Sequence, residues 1–445
     1  MAKPEHRDYP WRRNRRRLLF GIVVFFGGAV LALAVVNGRG DRALQREIAS
    51  IRAKGEPVTP QELRARYPEP PKEQNAAEVY TKSFSAAKRP NAGQEPGDAA
   101  RNLPTKAFRK WVDERLAENA EALALLHEAA HKPAAQFSVT LDKGWWSDGL
   151  PDREKIRGAA ILLQLEALAA AQDGDTGRAL EAVLAGLAVG NALYDSPLVT
   201  LLSTRMECYR TTCEGIRQIL SLANFSEDQL AQMQRALDAA DDGDALTRAL
   251  MGERVATLFH FDHPEYRFSD IHGFNEWMPG AGAMAAALMR VAGNHGRYLS
   301  VMGQAIDASR MAPWEALPQL RMMAASENGS HSRDLGFPVN TMLGYACYGE
   351  TCLVKGMGQA RSAQIALAVE RYRLANGVTP ENAGLLVPAF LPAVPADPCD
   401  GQPLRYKPYG DGYVVYSGGG GPNDVGGTAA SGSNGEFVFR VAHTQ

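Results

Sequence analysis

Apolar residues recur at steps of three and four positions over most of the chain, which is the spacing that predicts α-helices. Between residues 105 and 338 the pattern is interrupted by short segments that contain Gly or Pro, so we expect an α-helical domain there, with Pro313 and Pro318 among the breaks. The best-defined unit is Asp152–Leu222, with a first helix at Glu154–Gln172, and further helices are expected at Glu227–Ala240, Ala245–Leu258 and Ala281–Asp307. Expected N-caps are Thr105, Ser226 and Ser196, the last with Pro197 as the first helical residue.

Residues 339–445 show a different pattern. A long helix is expected from about Asn340 or Leu353 to Asn376, with Gly377 ending it. Beyond it, alternating apolar residues predict three strands, Leu404–Lys407, Tyr413–Ser417 and Glu436–Val441. Because a three-stranded sheet leaves one face open, the long helix is its expected cover, and the whole forms an α+β unit.

The N-terminus carries a different signal. Arginines crowd between Arg12 and Arg17, and nineteen uncharged residues, 18–36, follow them. As a helix, this stretch approaches the ~30 Å hydrocarbon core of a bilayer. We therefore expect a basic tail in the cytoplasm (1–17), a single span of the inner membrane (18–36), a Pro-rich connector with short helices (37–104) and an exported remainder in the periplasm. A signal peptide cleaved after Ala32-Leu33-Ala34, or a twin-arginine signal, is the alternative.

Charge narrows the range of partners. Residues 1–17 carry seven Lys or Arg and two acids, whereas the remainder carries 41 basic and 48 acidic residues. No basic face is left that would predict nucleic-acid binding. The expected partners are the lipid bilayer, through residues 18–36, and an envelope protein or peptide.

The chain has five cysteines, Cys208, Cys213, Cys347, Cys352 and Cys399. Two pairs of them lie five residues apart, and neither pair has the Cys-x-x-Cys spacing of a zinc or redox site. Buried thiols and disulfides are both compatible with this spacing.

Residues 154–195 combine an alanine-rich helix, the turn Asp173-Gly174-Asp175 and an alanine-containing return helix. This unit resembles a tetratricopeptide-type hairpin, although no second copy follows at that family's period of about 34 residues. The resemblance implies a helical, solenoid-like array that binds proteins or peptides on a concave surface.

The last ninety residues carry an ordered set of motifs: Arg371-Tyr372-Arg373-Leu374-Ala375-Asn376-Gly377, Pro395-Ala396-Asp397-Pro398, Gly401-Gln402-Pro403-Leu404-Arg405-Tyr406 and Tyr413-Val414-Val415-Tyr416-Ser417-Gly418. Over residues 355–445 this order resembles the C-terminal half of type II secretion major pseudopilins. The whole chain resembles bacterial membrane-anchored proteins of unknown function that carry this ending behind helical regions. It departs from the pseudopilins because its membrane segment lies far upstream and contains no glutamate.

The pseudopilin resemblance also implies a calcium site, because that family's C-terminal loop commonly binds the ion. Asn423 and Asp424 are the candidate ligands here. For the nearby Asp397, Asp400 and Asp411, hydrogen bonding at turns and strand ends is the expected role.

The densest group of metal-type side chains is His260, Asp262, His263, Glu265 and His272. His260 and His263, three residues apart, are candidate metal ligands, whereas Pro264 and the aromatic neighbours predict a packed loop from Phe259 with structural histidines. No nucleophile elbow, phosphate-binding loop or dinucleotide fingerprint is present in the sequence. The sequence therefore predicts a scaffold or binding module without catalytic activity. The alternatives are an envelope metal-dependent hydrolase that uses His260–His272 and a pilin-like subunit of a secretion system.

Overall fold

The computed structural model describes residues 42, 44–88, 105–139, 141, 151–262, 294–329, 336–418 and 437–443. The helices, in chain order, are α1 Pro60–Arg66, α2 Ala77–Ala86, α3 Lys106–Glu118, α4 Ala120–Ala130, α5 Arg153–Gln172, α6 Thr176–Asn191, α7 Val199–Leu220, α8 Glu227–Ala236, α9 Ala245–Asp262, α10 Asn294–Ala308, α11 Pro313–Gly329 and α12 Gly336–Asn376. The strands are β1 Arg405–Tyr409, β2 Gly412–Tyr416 and β3 Val438–Val441. Residues 44–53 are also helical.

This architecture confirms a mainly α-helical chain with a small three-stranded antiparallel sheet near its C-terminus. The expected membrane segment, 18–36, lies outside the described residues. Among the helices that are described, none combines the length and the apolar character needed to cross a bilayer.

Local sequence signals set many of the helix ends. The Thr105 hydroxyl accepts the amide of Phe108 at 3.1 Å, and Ser226 and Gln229 cap each other at the start of α8. Gly174 follows α5 with a φ of +74°, and Gly377 follows α12 with a φ of +72°. Since only glycine adopts such angles without strain, these two positions end their helices as expected.

Helices α5 and α7 lie side by side and run in the same direction. Arg157 of α5 pairs with Glu207 of α7, and further along both helices the Gln164 amide donates to Gln218 at 3.2 Å. Contacts that advance together along both sequences define a parallel pair.

Helix α12 lies on the other side of α7, again parallel to it. A Cβ placed on Gly349 would lie 3.1 Å from Val199, and one on Gly356 would lie 2.5 Å from the sulfur of Met206. The two helices therefore approach more closely than larger side chains would allow. The result is a layer of three parallel helices in the order α5, α7, α12.

Helices α6 and α8 form a second layer behind this one. Gln229 of α8 donates to Thr176 of α6 at 3.1 Å, and Glu227 of α8 accepts from Arg371 of α12 at 2.6 Å. The return helix of the predicted hairpin is thus connected, through α8, to the long C-terminal helix.

The sheet has the order β1-β2-β3, and both pairs are antiparallel. Tyr409 pairs with Gly412 across the expected hairpin turn. Helix α12 covers one face of the sheet: the buried Tyr413 hydroxyl donates to Glu370 at 2.8 Å and lies 3.1 Å from the Ala366 carbonyl oxygen. The expectation that the long helix covers the sheet is confirmed.

The expected start of the third helix of this region is wrong. Helix α7 begins at Val199, and neither Ser196 nor Pro197 caps or opens it. The Val199 amide donates instead to the carboxylate of Glu253, in α9, at 2.9 Å. A cap from a distant helix leaves no local signal in the sequence.

The expected break at Pro313 is confirmed, because α10 ends at Ala308 and α11 begins at Pro313, whereas the expected break at Pro318 is wrong. Pro313 is the first residue of α11, where its missing amide costs nothing, and Pro318 lies inside that helix. Ala316 and Leu320, both buried, flank Pro318 and pack the helix into the protein. Tertiary packing here offsets the hydrogen bond that proline removes.

The close approach of α9 to Pro197 allows a test with two glycine-to-alanine substitutions, which we expect to change the free energy of unfolding in opposite directions. A Cβ on Gly252, in α9, would overlap the carbonyl oxygen of Pro197, whereas one on Gly303, in α10, would meet nothing. We expect Gly252→Ala to lower the free energy of unfolding by about 1–3 kcal/mol through overpacking. Gly303→Ala should raise it by up to about 1 kcal/mol, since alanine favours helix. Chemical denaturation of both variants checks this, and equal shifts would contradict the close approach of α9 to Pro197.

Candidate interaction surface

The sequence-predicted metal ligands are described only in part. His260 lies in α9, which continues to Asp262, so the loop expected from Phe259 begins in helical conformation. The helix extends because its apolar residues continue past Leu258 and no breaking residue precedes Pro264. The His260 side chain and the residues His263, Glu265, His272, Asn423 and Asp424 lie outside the described part. Within the described ranges, no three His, Cys, Asp or Glu residues are grouped to hold a metal.

Asp397, in the turn before β1, is fully buried and accepts hydrogen bonds from several of the turns around the sheet. Its Oδ1 accepts the Cys399 amide at 2.9 Å. Its Oδ2 accepts Arg405 Nη1 at 2.8 Å, the Ser417 hydroxyl at 2.8 Å and the Gly418 amide at 2.9 Å. One carboxylate thereby joins the turn before β1, the strand β1 and the end of β2.

Asp400 completes this arrangement. Its Oδ1 accepts the Gln402 amide at 2.9 Å, and its Oδ2 accepts Arg405 Nη2 at 2.6 Å. The Arg405 guanidinium thus bridges Asp397 and Asp400, where a bound cation would be repelled. The expected role of these two aspartates in turn hydrogen bonding is confirmed.

The three parallel helices share a solvent-exposed face. Ile161 of α5 is 43 % exposed, and Tyr345 and Tyr348 of α12 are 38 % and 47 % exposed. Tyr348 lies within hydrogen-bonding reach of Ser203 in α7 and of Cys352 in its own helix. We call the face formed by Ile161, Glu207, Tyr345, Tyr348 and Cys352, with the buried Ser203 beneath Tyr348, the three-helix face.

Charges of both signs surround the apolar side chains of the three-helix face. Glu207 pairs with Arg157, and Arg210 and Lys355 act electrostatically on the Cys352 thiol. Burial raises the pKa of Cys352, so the thiol remains protonated near neutral pH. The three-helix face therefore has exposed aromatic and aliphatic side chains at its centre and both acidic and basic side chains around them. This composition is common in protein interfaces.

Two carboxyl groups beneath the surface have strongly shifted pKa values. Burial raises the pKa of Glu253 and that of Glu350 to about 7. Glu253 accepts the Val199 amide, as described above. Oε1 of Glu350 finds no hydrogen-bond partner among the described residues, which favours the protonated form of this carboxyl.

The thiols Cys208 and Cys213 are fully buried in α7, and both are free. Burial raises the pKa of each to about 12, so neither is a nucleophile at neutral pH. Cys347 and Cys352, in α12, are half-buried and also free. Neither five-residue pair forms a disulfide, which is consistent with their positions on different sides of a regular helix.

Comparison with protein families, with curated proteins and with solved structures finds no match for this chain. The resemblances to tetratricopeptide hairpins and to pseudopilins therefore rest on the sequence motifs alone.

Sequence reasoning missed the three-helix face. Tyr345, Tyr348, Cys352 and Lys355 follow each other at steps of three, four and three, which is a helical stripe. That periodicity could have marked a common side of α12. It could not show that the side faces solvent, because stripes of this kind are more often buried.

The two aspartates that share Arg405 allow a matched test. Asp397→Asn leaves Arg405 without its fully buried partner and removes an acceptor from Ser417 and Gly418. We expect a loss of about 3–5 kcal/mol in the free energy of unfolding. Asp400→Asn, at a partly exposed pair, should cost less than about 1 kcal/mol.

Urea denaturation measures both variants, and hydrogen exchange in β1 and β2 locates the effect. If Asp400→Asn were as damaging as Asp397→Asn, the central role of Asp397 would be wrong.

Glu350 predicts a pH dependence of stability. Its pKa is about 7 in the folded protein, against an ordinary value of 4.5. Between these values the folded state holds a proton that the unfolded state has released, so stability falls as pH rises through this window. The loss is complete above pH 7 and is on the order of 3 kcal/mol.

Glu350→Gln keeps the shape of the side chain and removes its ionisation. We expect the variant to be more stable than the wild type at pH 8 and to lose about half of the slope between pH 5 and pH 7, the rest coming from Glu253. Thermal denaturation across this range tests the assignment. An unchanged slope in the variant would show that Glu350 does not titrate in this window.

Proposed function

We propose that this chain is a membrane-anchored scaffold of the cell envelope that binds a protein or peptide partner and catalyses no reaction. In this proposal residues 18–36 span the inner membrane, residues 1–17 remain in the cytoplasm, and the solenoid-like helical array lies in the periplasm. The lipid bilayer and an envelope protein or peptide are its two partners.

The observation that carries the proposal is the three-helix face. Arg157 of α5 pairs with Glu207 of α7, and Tyr348 of α12 lies within hydrogen-bonding reach of Ser203 of α7, so side chains of the three helices lie next to one another on this face. Ile161, Tyr345 and Tyr348 supply contact area there, and tyrosine in particular provides much of the binding energy in protein interfaces.

The packing beneath the three-helix face supports the same role. Met206 is 1 % exposed and lies directly against Gly356, and Leu202 and Leu353 are buried beside them. A densely packed floor holds the exposed side chains in fixed positions. Such preorganisation lowers the entropy that a partner's binding would otherwise cost.

Site-specific crosslinking in cells tests the proposal. A photoreactive phenylalanine analogue replaces Tyr348 in one variant and Ile161 in another. The matched control carries the analogue at Val378, which is 61 % exposed but lies beyond the end of α12. We expect the same protein to be crosslinked from positions 348 and 161 and not from 378.

Binding of that protein by the purified full-length chain then gives the energetic test. Tyr348→Ala should weaken the affinity about tenfold, which corresponds to roughly 1–2 kcal/mol. Its thermal midpoint should stay near the wild-type value, because Tyr348 is half exposed. Identical crosslinks from all three positions, or an unchanged affinity, would refute a role for this face in binding.

A further inference from the structure

The connector that follows the expected membrane segment packs closely onto the helical array. Ile51 and Val58 are 6 % and 5 % exposed and belong to the same hydrophobic core as α7 and α12. Leu44 and Ile48, two turns and one turn before Ile51 respectively, are partly buried against that core. Residues 44–58 of the connector are therefore part of the folded array.

A buried ion pair fixes the connector in place. Arg254 of α9, fully buried, donates to Glu56 Oε2 at 2.8 Å and to the Pro57 carbonyl at 3.0 Å. Arg310, two residues after the end of α10, pairs with the other carboxylate oxygen of Glu56. Although burial opposes it, the two guanidiniums hold the pKa of Glu56 below its usual range. Because separating such a pair leaves a buried charge uncompensated, the connector stays on the array.

The length of chain between the hydrophobic segment and this packed helix is short. From Val36 to Leu44 an extended chain reaches at most about 28 Å. The end of the array that carries the connector must therefore lie near the surface of the bilayer in which residues 18–36 are embedded.

The contacts of α7 show which end this is. Gly252, two residues before Arg254, lies against Pro197, just ahead of α7. At the opposite end of α7, Arg217 donates to the Arg440 carbonyl of β3 at 3.3 Å. Helix α7 has 22 residues and is about 33 Å long. The connector and the sheet therefore lie at opposite ends of the array.

The connector end is also basic. The exposed basic side chains of residues 44–66 are Arg46, Arg52, Lys54, Arg64 and Arg66. The acidic residues of the same segment are Glu47 and Glu62, both half-buried, and the buried Glu56. Lys54 pairs with Asp307 at 3.2 Å and Arg52 with Glu62 at 2.9 Å, both in solvent, where such pairs exchange readily. This positive excess contrasts with the acidic balance of the chain as a whole beyond residue 17.

We propose that residues 44–66 form a docking surface for anionic phospholipid headgroups. The surface holds the connector end of the array against the bilayer and directs the sheet away from it. This inference rests on the membrane anchor of the proposed function. Basic side chains are attracted to an anionic bilayer, and salt weakens this attraction.

The test uses the full-length protein in vesicles of phosphatidylcholine alone, or of phosphatidylcholine and phosphatidylglycerol in equal parts. A photoreactive residue at Ser50, which is exposed, reports contact with lipid, and one at Lys407, exposed on β1, is the control at the far end. We expect lipid adducts at position 50, several-fold more in the anionic vesicles, and none at position 407. High salt should remove the difference between the two lipid mixtures.

Charge-neutralising variants complete the design. Arg46→Gln combined with Lys54→Gln should reduce the adducts at position 50 several-fold, whereas Lys407→Gln should leave them unchanged. The inference would be overturned if the yields of lipid adducts at positions 50 and 407 were equal. It would also be overturned if the yield at position 50 changed neither with phosphatidylglycerol nor with the double substitution.

Flotation of the vesicles after alkaline carbonate treatment separates this outcome from failure of the anchor. Loss of the protein from both kinds of vesicle refutes the membrane span and, with it, the surface. Retention of the protein without lipid adducts at position 50 refutes the surface alone.

Discussion

The close approach of α7 and α12 is the contact on which the rest of the structure depends. Gly349 and Gly356 let α12 lie directly against Val199 and Met206, so one helix pair forms the middle of the array and also reaches the sheet. Helix α5 packs on the other side of α7, and α8 connects α6 to α12 behind it. If a larger residue at either glycine pushed α12 away from α7, the three-helix face would change shape and the surface of α12 on which the sheet packs would move. Gly349 and Gly356 therefore determine the position of α12 relative to both α7 and the sheet.

Features encoded by neighbouring residues could be predicted from the sequence. Thr105, Ser226 and Gly377 act within a few residues of themselves, and each ends or begins its helix as expected. The hairpin turn before Gly412 and the alternation of β3 are equally local. The mainly helical class and the small sheet follow from such signals.

Features that need two distant segments could not be predicted. The cap of α7 comes from Glu253, more than fifty residues away, and no property of Ser196 or Pro197 reveals it. The same holds for Arg205, which is 1 % exposed and donates to Asp242 at 2.9 Å and to the Ala239 carbonyl at 2.8 Å. An arginine within a helix is expected to face solvent, and only the assembled fold shows that Arg205 is buried and paired.

The carboxylate of Asp397 connects residues that belong to different C-terminal motifs of the sequence. In the sequence, Asp397, Arg405, Ser417 and Gly418 belong to separate motifs near the C-terminus. In the structure all four meet at one carboxylate, with Gly401 at a φ of +76° shaping the turn between Asp397 and Arg405. Because two strands and a turn are held by the same two oxygens, a substitution at any of these positions affects the others. Shared hydrogen bonding to Asp397 therefore explains why these residue types occur together. The explanation requires neither common descent nor a bound ion.

The buried ionic contacts of Glu56 and Asp397 fix the connector and the sheet relative to the helices. Glu56 joins the connector to α9 and α10, and Asp397 joins the turns around the sheet. Each lies inside the fold, where breaking it would leave an uncompensated charge. The path from connector to sheet therefore runs through packed helices and buried pairs rather than through a hinge within the described residues. A partner bound on the three-helix face would meet a surface whose orientation relative to the connector is fixed, so the position of the connector determines the direction in which that face points.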